Sequence, residues 1–319
     1  MLCIRHFMNK KNVIISLVLI FILALFASFS PGVFLKPNIY FSYLSSIPII
    51  LILCIGLLPL IIAGEFDMSF PATMAMGGFV FSYTFNTTNS MFLALILALF
   101  FGVIAGALNA FLVVNIKVNS IIATIGTQFF FRGLAVVLSS GLSLSLANAN
   151  GLLKEIFVGR VTPFEIPMQA FWAIIICLLT YLFIFRHKFG DSVLFTGDNE
   201  KAAKMLGINV AKTRYILFIN MGIMSTLAGI ILSLEFINWW PTQGEGYMLL
   251  VFAAIFIGGT GAKGGSGSIY GTIIGSIIIG IMESGIVAMG FDAFYTRVVY
   301  GAIIVISVIF YSKFEESKN

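Results

Sequence analysis

Three ionisable side chains sit inside long apolar runs: Arg132 in IATIGTQFFFRGLA, Glu235 at the end of IILSLE, and Glu283 within IIIGIMESGIVA. A charged group at the centre of a bilayer costs about 2.5–3.5 kcal/mol on insertion scales, so each of these must find a partner or water. With Asn109, Thr127 and Gln128 on the same or adjoining runs, and Asp67 in the turn before the next run, they are candidates for lining a polar path or gate. A second reading is structural: Arg132 pairs with Glu283 to hold helices together, and Glu235 snorkels to an interface.

Bond-making chemistry is not encoded. Neither a GxSxG nor an HExxH pattern occurs, and GGTGAKGGSGS departs from a phosphate loop because Ala262 precedes Lys263 and Gly264 follows it. His6 and His187 lie beside basic residues, far from each other and from any carboxylate cluster. Cys3, Cys54 and Cys177 are odd in number and fall in a tail or in apolar runs, so they are read as small packing residues rather than a disulfide framework or a zinc site.

The elements that must position these groups follow from composition. The 319 residues are 60% hydrophobic and 10% charged, with a mean hydropathy of +1.07, which leaves too little polar surface to cover a soluble globule. The runs are apolar on all faces and lack the two-residue alternation of a barrel strand. The fold class is therefore all-α: a polytopic helical membrane protein of about ten transmembrane helices, at 13–29, 44–63, 68–85, 91–114, 119–139, 168–185, 215–237, 248–261, 266–288 and 296–311.

The net charge of +5 is scattered and forms no nucleic-acid patch, but it sorts by side. With both termini on one face, that face carries Arg5, Lys10, Lys11, Lys117, Arg186, Lys188, Lys201, Lys204, Lys212, Arg214, Lys263, Lys313 and Lys318; the other carries Lys36, Lys154, Arg160 and Arg297. Thirteen against four places the termini in the cytoplasm. An uncleaved first helix is expected, because no small-x-small cleavage site stands out in LFASFSPG.

One transmembrane domain, 1–319, then carries two long connections: an external loop over 140–167, suited to docking, and a cytoplasmic loop over 186–214. Two cytoplasmic hairpins, IAGEFDMSFPATMAMGGF and IGGTGAKGGSGSIYG, are rich in glycine. Interrupted helices at membrane depth point to a translocation pathway, while the plainer alternative is flexible turns with close packing at Gly271, Gly275 and Gly280. Trp239 and Trp240 are expected in an interfacial belt where the seventh helix leaves the membrane.

Four blocks, GEFDMS with MAMGG, NSIIATIGTQFFFRGLAVVLSSG, GDNEKAAKMLGINVAKTRY and PTQGEGYMLLVFAAIFIGGTGAKGGSGSIYGTIIG, resemble the permease subunits of bacterial ABC importers of the ribose and simple-sugar type, in the branched-chain permease superfamily. Phe70-Pro71 and Met248-Leu249-Leu250 depart from that family's small and acidic residues. The resemblance implies a pore formed with a second permease copy or paralogue, ATPase subunits holding ATP and Mg, an extracytoplasmic solute-binding protein, and a place among the lipids of the bacterial cytoplasmic membrane. No cofactor is expected on this chain itself.

The cargo class implied is a monosaccharide, with nucleosides, autoinducer-like sugars or a vitamin as alternatives. The coupling segment assigns Asn199, Glu200, Ala202, Ala203 and Gly207 to contact with the ATPase. Asn199 suits an N-cap, Ala202 with Ala203 offers a smooth face, and Gly207 stops the helix. Asp67, Asn109, Gln128, Arg132 and Glu283 form the candidate path. Rival readings are an ion-coupled secondary transporter using Glu283 or Asp67, an intramembrane enzyme, and a purely structural membrane partner.

Overall fold

The computed structural model describes residues 10–163 and 165–316, with side chains over 12–163 and 165–306. Cys3, Arg5, His6 and Lys318 lie outside the described residues, as do the side chains of Lys10, Lys11 and Lys313.

The chain is mostly helical, and a helix occupies each of the ten apolar segments. In order these are α1 (Lys10–Phe29), the single turn α2 (Pro31–Phe34), α3 (Pro37–Ile62), α4 (Phe70–Thr88), α5 (Met91–Ala110), which runs on through a π-turn at Phe111–Asn115, and α6 (Ser120–Leu138). The loop over 140–167 holds α7 (Leu152–Val158); α8 (Met168–Phe185), α9 (Lys188–Asp198), α10 (Glu200–Met205) and α11 (Val210–Glu235) come next. Then follow α12 (Tyr247–Ile257), α13 (Ile269–Ala288) and α14 (Phe294–Glu316).

Among the described residues, seven helices are long and apolar enough to cross a membrane: α1, α3, α5 with its π-turn, α6, α8, α11 and α13. In α4, Ser, Thr and Asn dilute the apolar residues. α12 has 11 residues, so at 1.5 Å each it reaches roughly 16 Å, about half of a hydrocarbon core near 30 Å. The segment expected to span over 248–261 is thus a half-helix, ended by Gly258 and Gly259.

α3 and α11 form the centre. α3 is apolar all round, as a helix enclosed on every side must be, and it packs against α8, α11, α12 and α13. α11 packs against α3, α4 and α5. By contrast α1, α5, α6 and α8 bury one face and turn side chains such as Phe100, Phe129, Val137 and Ile174 outward, which suits contact with lipid chains.

Glycine sets the closest crossing. Gly102 and Gly106 of α5 face Gly222 of α11, and a Cβ on Gly102 would lie 2.7 Å from the Gly222 carbonyl oxygen, while one on Gly222 would overlap the Gly102 carbonyl. This is the small-xxx-small arrangement that lets helix backbones touch where no hydrophobic effect drives them together. Gly271 and Gly275 of α13 abut Gly258 and Ala254 in the same way.

Two stretches leave the helical pattern inside the bundle. Residues 63–69 form a non-helical strap between α3 and α4, and residues 236–246 fold back from the end of α11 into the body before α12 begins. Two-residue ladders secure the outer loop: β1 (Leu144–Ser145) pairs antiparallel with β4 (Asn238–Trp239), and β2 (Arg160–Val161) with β3 (Ile166–Pro167).

Candidate functional site

The strap lies along α6, whose Ser120, Thr124 and Thr127 share one face because four- and three-residue steps return to the same side of a helix. Phe66 N–H donates to Ser120 Oγ at 3.2 Å and Met68 N–H to Thr124 Oγ1 at 2.9 Å. Backbone that makes no helix is thereby satisfied by hydroxyls from a neighbouring one. Asp67, buried, accepts from the Ser69 N–H and Oγ at 2.7 and 2.6 Å, and more distantly from Asn109 Nδ2 at 3.4 Å. Asn109 also donates to Ser69 Oγ at 2.7 Å and accepts from Thr127 Oγ1 at 2.7 Å.

Of the five candidate path residues, then, the structure brings together Asp67 and Asn109. Gln128 is half-buried on α6, and among the described residues no hydrogen bond joins it to this network. Glu283 is exposed on α13. Arg132 does not pair with it, which corrects the clasp reading. Nη1 of Arg132 donates to the carbonyls of Pro241 and Gln243 at 2.6 and 2.8 Å, and Nη2 to that of Pro71 at 3.2 Å. The guanidinium fork therefore pins the folded-back stretch to the start of α4, supplying the Pro241 and Gln243 carbonyls with donors that no helix provides there.

The same stretch is seated by Trp239 and Gln243, both buried. Trp239 Nε1 donates to the Ala75 carbonyl at 2.8 Å and its ring meets Phe79 edge-on; Gln243 Nε2 donates to the Gly229 carbonyl at 2.8 Å. Trp239 is thus a core residue and not an interfacial one, and Gly78 of MAMGG makes its room: a Cβ there would stand 2.9 Å from the indole. Glu235 accepts from Gln169 of α8 and lies 4.0 Å from Arg160 of β2.

At the opposite end of the bundle, three distant pieces of chain meet through backbone. Gly64, at the head of the strap, and Gly264 take φ of +81° and +86°, a left-handed region that strains any side chain. A Cβ on Gly264 would lie 3.0 Å from both the Gly197 carbonyl oxygen and the Gly64 Cα, and one on Gly197 would overlap the Ile62 carbonyl. Gly265 N–H donates to Ile62 O at 2.8 Å. Both glycine hairpins thus converge on the α9–α10 junction, and the close packing expected at Gly271, Gly275 and Gly280 is present against Gly258, Ala254 and Ile47.

α10 itself is short and exposed. Asn199 Oδ1 accepts from Ala202 N–H at 3.1 Å, capping it, and Gly207 ends it with φ +79°. Ala202 is outward, but Ala203 is buried against the body, so the expected two-alanine face does not exist. What α10 and its end present instead are Met205, 88% exposed, and Leu206, 65% exposed.

Sequence reasoning also missed Arg214. Its Nη2 donates to Glu200 Oε2 at 2.9 Å, and its Nε lies 2.7 Å from Glu65 Oε1, a charge contact in which the N–H is not aligned for a hydrogen bond. Lys204 Nζ donates to Glu200 Oε1 at 2.6 Å. The four-residue spacing of Glu200 and Lys204 is a sequence signal; nothing marks Arg214, fourteen residues on, as the partner of both carboxylates. A cavity of about 650 Å³ opens beside them, lined by Lys117, Asn119 and Ser120 as well.

The Lys204 hydrogen bond, opposed by partial burial and helped by the Arg214 charge, holds the Glu200 carboxyl below its ordinary value of 4.5. A depressed carboxylate stabilises the fold above its ordinary value and loses that contribution as pH falls through the folded value. Since the Glu200 side chain is 38% exposed, solvent screening keeps the gain small. Hydrogen-exchange protection of the α10 amides is expected to be flat between about pH 5 and 7 and to fall below about pH 4; protection that declines already from pH 7 would contradict this.

Residues 39–308 match the family described as "Branched-chain amino acid transport system / permease component". The L-arabinose transport system permease protein AraH of Escherichia coli (strain K12) is 32% identical over 258 residues, 80% of this chain and 76% of that protein. The ribose import permease protein RbsC of Bacillus subtilis (strain 168) is 31% identical over 290 residues, covering 91% and 89%. The autoinducer 2 import system permease protein LsrD of Photorhabdus laumondii is 30% identical over 264 residues, covering 81% and 79%. With a family match across most of its length and seven apolar helices of membrane-crossing size, the chain belongs to this permease family and is a multi-pass protein of the bacterial cytoplasmic membrane.

Proposed function

We propose that the chain is the membrane-spanning subunit of an ATP-driven importer for a monosaccharide. The observation that carries this reading is the likeness, along most of the chain, to permeases named for arabinose, ribose and autoinducer 2 import. In this reading ten helices enclose the route, with both termini, the glycine junction and α10 in the cytoplasm. The assignment of Lys117, Lys201, Lys204, Lys212 and Arg214 to that side is supported by the charge asymmetry of membrane proteins. A binding protein delivers the solute to the face bearing the 140–167 loop. ATP and Mg belong to the ATPase subunits, a second permease copy or paralogue completes the pore, and this chain makes and breaks no covalent bond.

Asn199, Glu200, Ala202 and Gly207 form and cap the helix that seats in the ATPase, with Met205 and Leu206 as its apolar anchors and Ala203 fixing it to the permease. Asp67 and Asn109 stand at the broken-helix level where the route narrows, while Arg132 holds that level in shape.

The test is uptake of labelled arabinose and ribose into proteoliposomes carrying permease, ATPase subunits and binding protein. Uptake should need ATP and the binding protein and should persist when ionophores collapse proton and sodium gradients. Uptake by the permease alone that ionophores abolish would overturn the reading in favour of an ion-coupled carrier. Within the same preparation, Met205→Glu should leave the permease folded, because the side chain is exposed, but should reduce ATPase copurification and transport at least about tenfold, a loss near 1.4 kcal/mol in binding. Copurification at the wild-type level would remove Met205 from the interface.

A further inference from the structure

Arg214 sits in the opening turns of α11, on the segment that leaves α10, and its side chain is 19% exposed. One guanidinium faces two carboxylates from different parts of the chain: Glu65, 10% exposed, on the strap, and Glu200 on α10. Otherwise α10 is held to the body by the glycine junction just before it, where Gly197 packs on the Ile62 carbonyl. Ala203 is its one buried residue among those described. The strap is likewise not a packed helix, and its attachments run in sequence: Glu65 to Arg214, Phe66 to Ser120, Asp67 to Asn109, Met68 to Thr124. Two residues beyond Ser69, Pro71 is held by Arg132, which also grips Pro241 and Gln243 of the folded-back stretch.

A displacement of α10 thus has a polar route, without a gap, from Glu200 through Arg214 and the strap to both breaks in the helical bundle. Planarity matters here: a guanidinium presents five N–H groups in a fixed fork and can engage two carboxylates at once, which a single ammonium on a flexible stem does less well.

We propose that Arg214 is a positioning residue that transmits movement of the ATPase-docking helix to the strap, by holding Glu200 and Glu65 on one guanidinium. This rests on the reading of α10 as the ATPase-docking helix. Arg214 touches neither solute nor nucleotide; it fixes where α10 stands relative to Asp67. Intermediacy in space is not coupling, so the decisive measurement is a double-mutant cycle.

The experiment uses the complete importer in proteoliposomes and reads three quantities: ATPase copurification, the ratio of hydrolysis with solute-loaded binding protein to hydrolysis without it, and solute transported. For Arg214→Gln and Glu65→Gln the stimulation ratio and transport should fall at least about tenfold while the ATPase subunits still copurify. The double variant should be no worse than either single one, because both remove one link. Arg214→Lys, which reaches one carboxylate at a time, should assemble normally but recover less than half of the stimulation, a split that mere structural support would not produce.

Wild-type stimulation in assembled Arg214→Gln, or losses that multiply in the double variant, would overturn the proposal. If Arg214→Gln fails to insert, Arg214→Lys decides: full stimulation, or failure to insert as well, marks Arg214 as a folding determinant and overturns it. Failure of the importer reading is separate, since in that case the unmodified complex itself shows no ATP-dependent transport.

Discussion

Replacement of Arg132 by leucine is expected to destabilise the protein by about 3 kcal/mol, through loss of hydrogen bonds from a charged donor that is half-buried. Two carbonyls outside any helix, of Pro241 and Gln243, accept from this one guanidinium, which also reaches the Pro71 carbonyl at the start of α4. Each hydrogen bond to a charged donor contributes about 1.5–3 kcal/mol, and a buried acceptor left without a donor costs a comparable amount. Leucine fills part of the volume and supplies none of the five N–H groups. The melting temperature in detergent should drop by roughly 5–10 °C, and Arg132→Lys, with its point charge, should fall between the two proteins. An Arg132→Leu protein melting within a degree of the original would show that water already serves those carbonyls.

The second large effect is steric. Gly222→Val places a branched side chain where the α11 backbone meets Gly102 and Gly106 of α5, and the first added carbon already overlaps the Gly102 carbonyl. Helices held this close have no flexible side chain to move aside, so the backbones themselves must part. Overpacking costs about 1–3 kcal/mol in ordinary cores and more where backbone must shift, and helix association within a membrane depends on that close contact. The expected outcome is loss of monodisperse protein after extraction. Gly126→Val offers the control, because that glycine on α6 has open space beside it and its replacement should be tolerated. Equal yields from the two variants would mean that the α5–α11 crossing is looser than its geometry indicates.

How much of this was legible without coordinates depends on what kind of signal each feature leaves. Helix positions were legible because an enclosed or lipid-facing helix must be apolar along its whole length. The length of α12 was not, since an apolar count over 248–261 includes Gly258 and Gly259, which end the helix, and cannot see that the chain before it has folded back. Trp239 was misplaced for the same reason: proximity to the end of α11 in sequence implied an interface, whereas β4 turns it inward onto Gly78. Arg132 stood out by its charge, but its partners are carbonyls, which every residue possesses and no sequence pattern distinguishes. For α10, composition announced an exposed capped helix and left open which face looks outward. Two adjacent alanines a hundred degrees apart on a helix cannot both do so, and the large apolar side chains that do, Met205 and Leu206, read as core.

The meeting of Gly64, Gly197 and Gly264 has a consequence beyond packing. The joint of α9 with the head of the strap and with the loop before α13 is made of peptide groups, which are the same whatever side chains surround them. Under the importer function proposed above, a joint of this kind is blind to cargo, because side chains lining the route can change without altering a contact made by backbone alone.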